Sequence, residues 1–236
     1  MPRADPDRGR PPGDRPPEPA PSAAGSEPGV AAPTVVAAGR EFFARDPVEL
    51  APLLLGAVLS FDAEDGSVAV RLSEVEAYRG VGEDPGSHAF RGRTPRTSVM
   101  FGEAAHLYAY FTYGMHTCLN IVAGHEGTAS GVLLRGGTVV EGLELARSRR
   151  PAASDRDLAR GPARLARALG VPLAASGADL LSAPFSIRVV QTPVPFSSGP
   201  RTGISGAGGG AAYPWRFWIP GDPGVSPYRR HARSHA

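Results

Sequence analysis

Between Phe42 and Trp218 the apolar positions fall into short runs, and the period of each run predicts an element. Asp46-Pro47 followed by VELAPLLLG reads as an N-cap, a first-turn proline and a short amphipathic helix stopped at Gly56, with Pro52 as a candidate kink. AVLSF and SVAVRLSEVEAYR read as strands on either side of a turn at Asp65-Gly66. LYAYFTYGMHTCLNIVA reads as two strands meeting at Tyr113-Gly114, a hairpin with an exposed tip. GVLLRGGTVV predicts a further strand and EGLELARSRR a helix. Gly161-Pro162 opens a helix over ARLARAL, which Gly170 caps. The stretch from Pro193 to Gly210, rich in Gly, Ser and Pro, reads as a long surface loop before a final strand, WRFWI. Short strands mixed with short helices predict a single α+β domain, with no sign of parallel βαβ winding.

Composition sets the limits of that domain. Residues 1–37 are dominated by Pro, Gly, Ala and mixed charges, and cannot bury enough apolar surface to offset their ordering entropy. They are expected to form a disordered tail, leaving 38–228 as the folded domain and 229–236 as a basic C-terminal tail. No apolar run approaches the ~18 residues of a membrane span, and the N-terminus has no apolar leader region. The single cysteine, Cys118, excludes an intramolecular disulfide and a Cys-based zinc site. The expected setting is therefore a reducing cytoplasm. The chain has no lysine, so all 25 of its Lys+Arg cations are arginine; against 23 acids the net charge is +2, too mild to identify a nucleic-acid partner. Arginine suits phosphates and stacked bases, but GC-rich codon usage also enriches Arg, Ala, Gly and Pro together.

The candidate chemistry lies in two segments. Glu74, Glu76 and Tyr78 stand at i, i+2 and i+4 of a predicted strand, so their side chains share a face. An acid beside an aromatic ring suits a general base, while a solvated strand face is the plainer reading. Two carboxylates roughly 6.5–7 Å apart also approach the spacing of an inverting glycoside hydrolase. Tyr108, Tyr110, Tyr113 and His116 crowd the hairpin. A tyrosine at an exposed glycine turn is poorly placed for a core, but suits a wedge that fills the gap left by an extruded nucleotide.

SEVEAYRGVGEDPGSHAFRGRTPRTSVMF, AHLYAYFTYGMHTCLNIV, GVLLR and RGPARLARALG, in that order and spacing, resemble the 3-methyladenine (alkyladenine) DNA glycosylases, with the YGMH spelling of the bacterial branch. The resemblance implies a curved, antiparallel-rich β core flanked by short helices, with a β-hairpin projecting a tyrosine wedge. It implies no metal and no organic cofactor. It implies an enzyme, expected as a monomer, that flips alkylated or deaminated purines out of damaged double-stranded DNA and releases them. The class spans 3-methyladenine, 7-methylguanine, hypoxanthine and ethenoadenine.

By the same resemblance, Glu76 activates the attacking water and Arg135 holds that water against it. Tyr78 and His88 wall the base pocket on one side, with Tyr110 stacking from the other. Asn120 excludes the guanine 2-amino group, Tyr113 is the minor-groove wedge, and Met115 contacts the opposite strand. His116 stands where vertebrate members carry an aromatic. Arg93, Arg96 and Arg164 are candidates for phosphate contacts, with plain surface arginines as the competing reading. Bifunctional glycosylases attack with an amine. Here the only primary amine is the N-terminus, so water is the expected nucleophile and an abasic site the expected product. Two rival readings stay open: a carbohydrate glycosidase using Glu74 and Glu76, and a non-catalytic module that binds damaged DNA.

Overall fold

Nine strands join one antiparallel sheet in the computed structural model, which describes residues 33–112, 114 and 116–234. They are β1 (Val35–Ala37), β2 (Val58–Ala63), β3 (Gly66–Tyr78), β4 (Leu107–Thr112), β5 (His116–Val122), β6 (Gly131–Glu141), β7 (Phe185–Val190), β8 (Ser197–Gly199) and β9 (Arg216–Trp218). The order is β1-β7-β2-β3-β6-β5-β4, with β9 added beside β3 and β8 beside β9. The helices are short: α1 (Arg40–Phe43), α2 (Pro47–Leu53), α3 (Leu143–Arg149) and α4 (Pro162–Leu169). The architecture is thus the expected α+β one. β1 takes in Val35–Ala37, which composition had placed in the tail; residues 1–32 of that tail lie outside the described residues.

Local chemistry explains most element ends. The Asp46 carboxylate accepts the Val48 N–H at 2.8 Å, so α2 starts as its N-cap and proline dictate. It stops at Leu53, one residue past Pro52 and earlier than the predicted stop at Gly56. Gly170 sits at φ 77° and caps α4, sending its N–H to the Ala166 and Arg167 carbonyls.

β3 is the axis of the sheet. Its first half pairs with β2 and its second half with β9, while β6 runs along its other edge. The β3–β6 register shifts near Ala69 and on both sides of Glu74, and such bulges bend a strand and re-aim its side chains. Alternation then gives the sheet two unlike faces. Val75, Ala77, Leu107, Ala109, Leu119, Ile121, Val132 and Leu134 enter the main core, together with Leu165, Ala168 and Leu169 of α4. On the opposite face Tyr108 and Val122 join a smaller cluster with Ala89, Met100 and Ala129.

Two segments depart from the sequence reading. The region 193–210 is more than a surface loop, because it contains β8 and buries Arg201, Gly208 and Gly209. The C-terminal stretch packs on that same segment: the Gly203 and Gly206 N–H groups donate to the Arg229 and Arg233 carbonyls. No described helix is long and apolar enough to cross a membrane.

Candidate active site

One row of residues crosses four strands on the face away from the main core. Glu76 of β3 is in register with Leu133 of β6, Leu133 with Asn120 of β5, and Asn120 with Tyr108 of β4. The neighbouring row on the same face holds Tyr78, Gly131 and Val122. The predicted i, i+2, i+4 face of Glu74, Glu76 and Tyr78 is therefore real. It faces neither solvent nor the apolar core.

Both carboxylates are fully buried, and guanidinium groups compensate them. Arg135 reaches Glu74 through Nε at 2.8 Å and Glu76 through Nη1 at 3.2 Å. Arg216 Nε donates to Glu74 at 2.6 Å, and the Ser226 N–H donates to its other oxygen at 2.6 Å. Two acids and two guanidiniums leave this cluster with no net charge. Without such pairing, burying either acid would cost several kcal/mol. Burial alone would raise the Glu74 pKa, but Arg135 and Arg216 outweigh it and hold the carboxyl below its ordinary value. Glu76 Oε1 accepts the Thr202 N–H at 2.6 Å, and Oε2 accepts the Tyr78 hydroxyl at 2.8 Å. Burial, followed by the nearby Glu76 charge, pushes the Tyr78 phenol well above its usual range, so it remains a donor.

A second buried pair props this wall from behind. Arg201 and Asp84 meet through two bonds of 2.6 Å with both side chains sealed from solvent. Arg201 also donates to the Ala77 and Gly208 carbonyls, and its guanidinium lies 4.4 Å from the centre of the Tyr78 ring. Gly208 is required by this approach, since a Cβ there would lie 2.4 Å from the Gly86 nitrogen.

Beside Glu76, Tyr78, His88, Tyr108, Tyr110 and Asn120 line a cavity of about 50 Å³. His88 stands edge-on to Tyr110, with ring centres 4.5 Å apart and planes at 84°, and its Nδ1 lies 3.2 Å from the Tyr108 hydroxyl. The predicted walls thus come together, but edge-to-face and with Tyr108 as a further member. Asn120 is buried and spends its amide N–H on the Tyr108 carbonyl at 2.9 Å. Burial raises the Tyr110 phenol, and its register partner Cys118 adds to the shift.

Burial, then the Arg96 charge, lowers the His88 imidazole to about 4. Because part of the residue reaches water, solvent screens some of this shift. In a titration followed by NMR, His88 should therefore titrate below its free value of ~6.5, on the side towards 4; a midpoint at or above the free value would contradict this. The folded pKa is depressed below the unfolded one. The stability His88 contributes is therefore complete above pH ~6.5 and is lost as pH falls towards 4.

Arg93 and Arg96 are exposed and come close to this face. Arg96 lies 5.2 Å from the Tyr110 ring centre and Arg93 5.6 Å from that of Phe101. Neither has a carboxylate partner among the described residues. Arg164 is elsewhere: it rides on α4, which packs on the opposite sheet face, and sits 3.6 Å from Asp157. The hairpin closes with Thr112 opposite His116 and Gly114 at φ 66°, whereas Tyr113 and Met115 lie outside the described residues. Glu74 had been read only as a possible acid partner, and Asp84, Arg201, Thr202, Arg216 and Ser226 had carried no reading. Among the described residues, no group of three or more His, Cys, Asp or Glu side chains is placed to hold a metal.

Known proteins resemble this chain over most of its length. The family model for methylpurine-DNA glycosylase matches residues 41–223. A protein of Leifsonia xyli subsp. xyli is 57% identical over 207 residues, covering 86% of this chain and 97% of its own. One of Streptomyces avermitilis is 54% identical over 209 residues, covering 86% and 96%. One of Nocardia farcinica is 50% identical over 198 residues, covering 80% and 90%. Each carries 3-methyladenine DNA glycosylase in its name. The family-model match takes in every strand of the sheet except β1, and with them both carboxylates, Arg135, Arg216 and the residues that line the aromatic cavity. The chain belongs to the methylpurine-DNA glycosylase family.

Proposed function

We propose that this protein is a monofunctional DNA glycosylase that flips alkylated or deaminated purines from duplex DNA and hydrolyses their N-glycosidic bond. The observation that carries this is a buried, ion-paired carboxylate, Glu76, bonded through Tyr78 to an aromatic cavity. Glycosidic cleavage builds oxocarbenium-like charge on the sugar. A carboxylate beside that carbon takes a proton from water and opposes the charge. The water oxygen attacks C1′, the C1′–N9 pair leaves with the base, and the water proton passes to Glu76. Arg135, paired with Glu76, fixes its aim. Tyr78, His88 and Tyr110 enclose the base, Tyr113 fills the stack it leaves, Met115 touches the opposite strand, and Arg93 and Arg96 meet phosphate. Arg164, placed behind the sheet, is a weaker phosphate candidate.

The paired-acid glycosidase is less well supported. Glu74 faces two guanidiniums and the Ser226 N–H, has no exposed surface, and is held below its ordinary pKa, the reverse of what a proton donor needs. The test of the main reading is an inosine-containing duplex. Free hypoxanthine should appear, and strand breaks should follow only after alkali. Breakage without alkali would refute the monofunctional reading, and intact inosine across a lesion panel would refute the glycosylase itself.

Guanine differs from hypoxanthine by its 2-amino group, so a pocket that accepts one must exclude the other by contact. Asn120 is fixed by its bond to Tyr108, and an immobile amide at that edge would clash with the amino group and leave polar atoms unpaired. Asn120→Ser should raise excision of guanine opposite thymine, where unpairing costs least, while hypoxanthine excision persists. Unchanged discrimination would reduce Asn120 to a core residue.

A further inference from the structure

The C-terminal residues read from the sequence as a basic tail, and the structure gives them a fixed course as far as Ser234. The Ser226 N–H donates to Glu74 at 2.6 Å. Farther on, the Arg229 carbonyl accepts the Gly203 N–H at 2.9 Å, and the Arg233 carbonyl accepts the Gly206 N–H at 2.8 Å. Ser234 forms a parallel bridge with Gly206, and a Cβ on Gly209 would lie 3.1 Å from the Ser234 Cβ. Arg230 closes the turn, donating from Nε to the Ser234 hydroxyl at 2.8 Å and from Nη2 to the Ser234 carbonyl at 3.2 Å. Backbone and Arg230 thus hold the segment in place. Arg229 and Arg233 remain, both exposed, and neither guanidinium has a hydrogen-bond or carboxylate partner among the described residues. No acid occurs between Asp222 and Ser234 to offset them.

The loop to which this segment is fastened forms part of the base cavity. Ile204 lines that cavity next to Gly86, and the Thr202 N–H holds Glu76 at 2.6 Å. The two fastening points, Gly203 and Gly206, stand on either side of Ile204 in the chain. The tail therefore carries two unpaired cations to the rim behind Ile204. Arg96 supplies another beside Tyr110, a different lining residue of the same cavity. A base drawn into the cavity leaves its own backbone phosphates at the mouth, and an arginine fork matches phosphate oxygens in pairs.

We infer that Arg229 and Arg233 bind phosphates of the lesion-bearing duplex beside the extruded nucleotide, which makes the C-terminal segment part of the DNA interface. The inference rests on the glycosylase reading. Because the segment is fastened by its backbone, these contacts fix the register of the duplex over the cavity as well as attracting it. They carry no preference for one base over another.

The test is single-turnover excision of hypoxanthine from an inosine duplex, followed against enzyme concentration at several salt concentrations. The Arg229→Gln, Arg233→Gln double variant should need about tenfold more enzyme for half-saturation at ~0.1 M salt. Its rate at saturation should stay within about twofold of wild type, because neither side chain touches the reacting atoms. The slope of log affinity against log salt should become shallower by about 1.8, or ~0.9 for each phosphate contact, and each single variant should give half that change. Melting temperature should hold, since only exposed side chains change. Arg188→Gln removes the same unit of charge from β7, where the side chain faces Glu141, and should leave the slope as it is. A slope equal to that of wild type, a single-variant shift no larger than that of Arg188→Gln, or a loss confined to the saturated rate overturns the inference. If the wild-type chain excises and the slopes coincide, only the role of the tail falls. If wild type releases no base from any lesion duplex, the glycosylase reading falls and the inference with it.

Discussion

Glu76→Gln should bind lesion-containing duplex much as wild type does and excise at least about a hundredfold more slowly. The amide keeps the outline of the acid but takes no proton and places no negative charge beside the sugar. Its effect on folding should be modest and readable in advance. All of the described partners of Glu76 are donors: the Thr202 N–H, the Tyr78 hydroxyl and Arg135. A glutamine oxygen turned towards Tyr78 and Arg135 leaves its NH2 group against the Thr202 N–H. Turning it the other way sets the NH2 group against Arg135. Either choice should cost about 1–3 kcal/mol. Excision should therefore be measured on enzyme shown to be folded by its affinity for the uncleaved lesion. Glu74→Gln makes the contrast. It weakens two guanidinium contacts and, unlike Glu76, Glu74 has no bond to the cavity-lining Tyr78, so the variant should lose stability and keep most of its catalytic rate. Equal catalytic losses from both variants would revive the paired-acid reading, and near-normal excision by Glu76→Gln would remove the assignment altogether.

Arg201→Leu should destabilise the protein by about 3–5 kcal/mol, more than any substitution at the rim of the cavity. The loss comes from what stays behind. Asp84 is left with no exposed surface and no cation, and the Ala77 and Gly208 carbonyls lose the donors that Arg201 supplied. Tyr78 also loses the cation behind its ring. The Asp84→Asn, Arg201→Leu double variant should recover part of the loss, because a neutral amide is cheaper to bury than an unpaired carboxylate. Urea unfolding reads both. A single variant within about 1 kcal/mol of wild type would mean that water enters and screens Asp84, contrary to its burial.

What could be read from the sequence divides by range. Glu76 and Tyr78 were legible because strand alternation is local: two residues apart means the same face wherever the strand lies. Tyr110 and Asn120 were legible as strand positions for the same reason. Their meeting with Glu76 depends on β6 lying between β3 and β5, an order that no single run encodes. Arg201 and Thr202 were missed because their segment, GPRTGISGAGGG, has the composition of a solvated loop. Gly208 within it is there for close approach to the Pro85-Gly86 turn, and only the partner reveals that. Arg216 and Ser226 were missed for a related reason. An arginine in a strand reads as exposed until a buried carboxylate is known to await it. α2 shows how loosely an end is encoded: the helix stops at Leu53 and the chain continues as a turn to Gly56, at φ 82°, where the stop was expected.

The order of synthesis bears on the cluster around β3. Thr202, Arg216 and Ser226 follow the glutamates they hold by 126, 142 and 152 residues. At roughly 5–20 residues per second, Glu74 and Glu76 leave the ribosome about 6–30 s before those partners. During that interval the two acids are expected to stay in water, since drying them without the full set of donors is unfavourable. The aromatic walls from Tyr78 to Asn120 are made early, but the groups that close around the carboxylates arrive only with residues 202–226. Competence to cut a glycosidic bond is then tied to synthesis through Ser226, and a nascent chain stalled before that residue would carry most of a base pocket with no finished chemistry beside it.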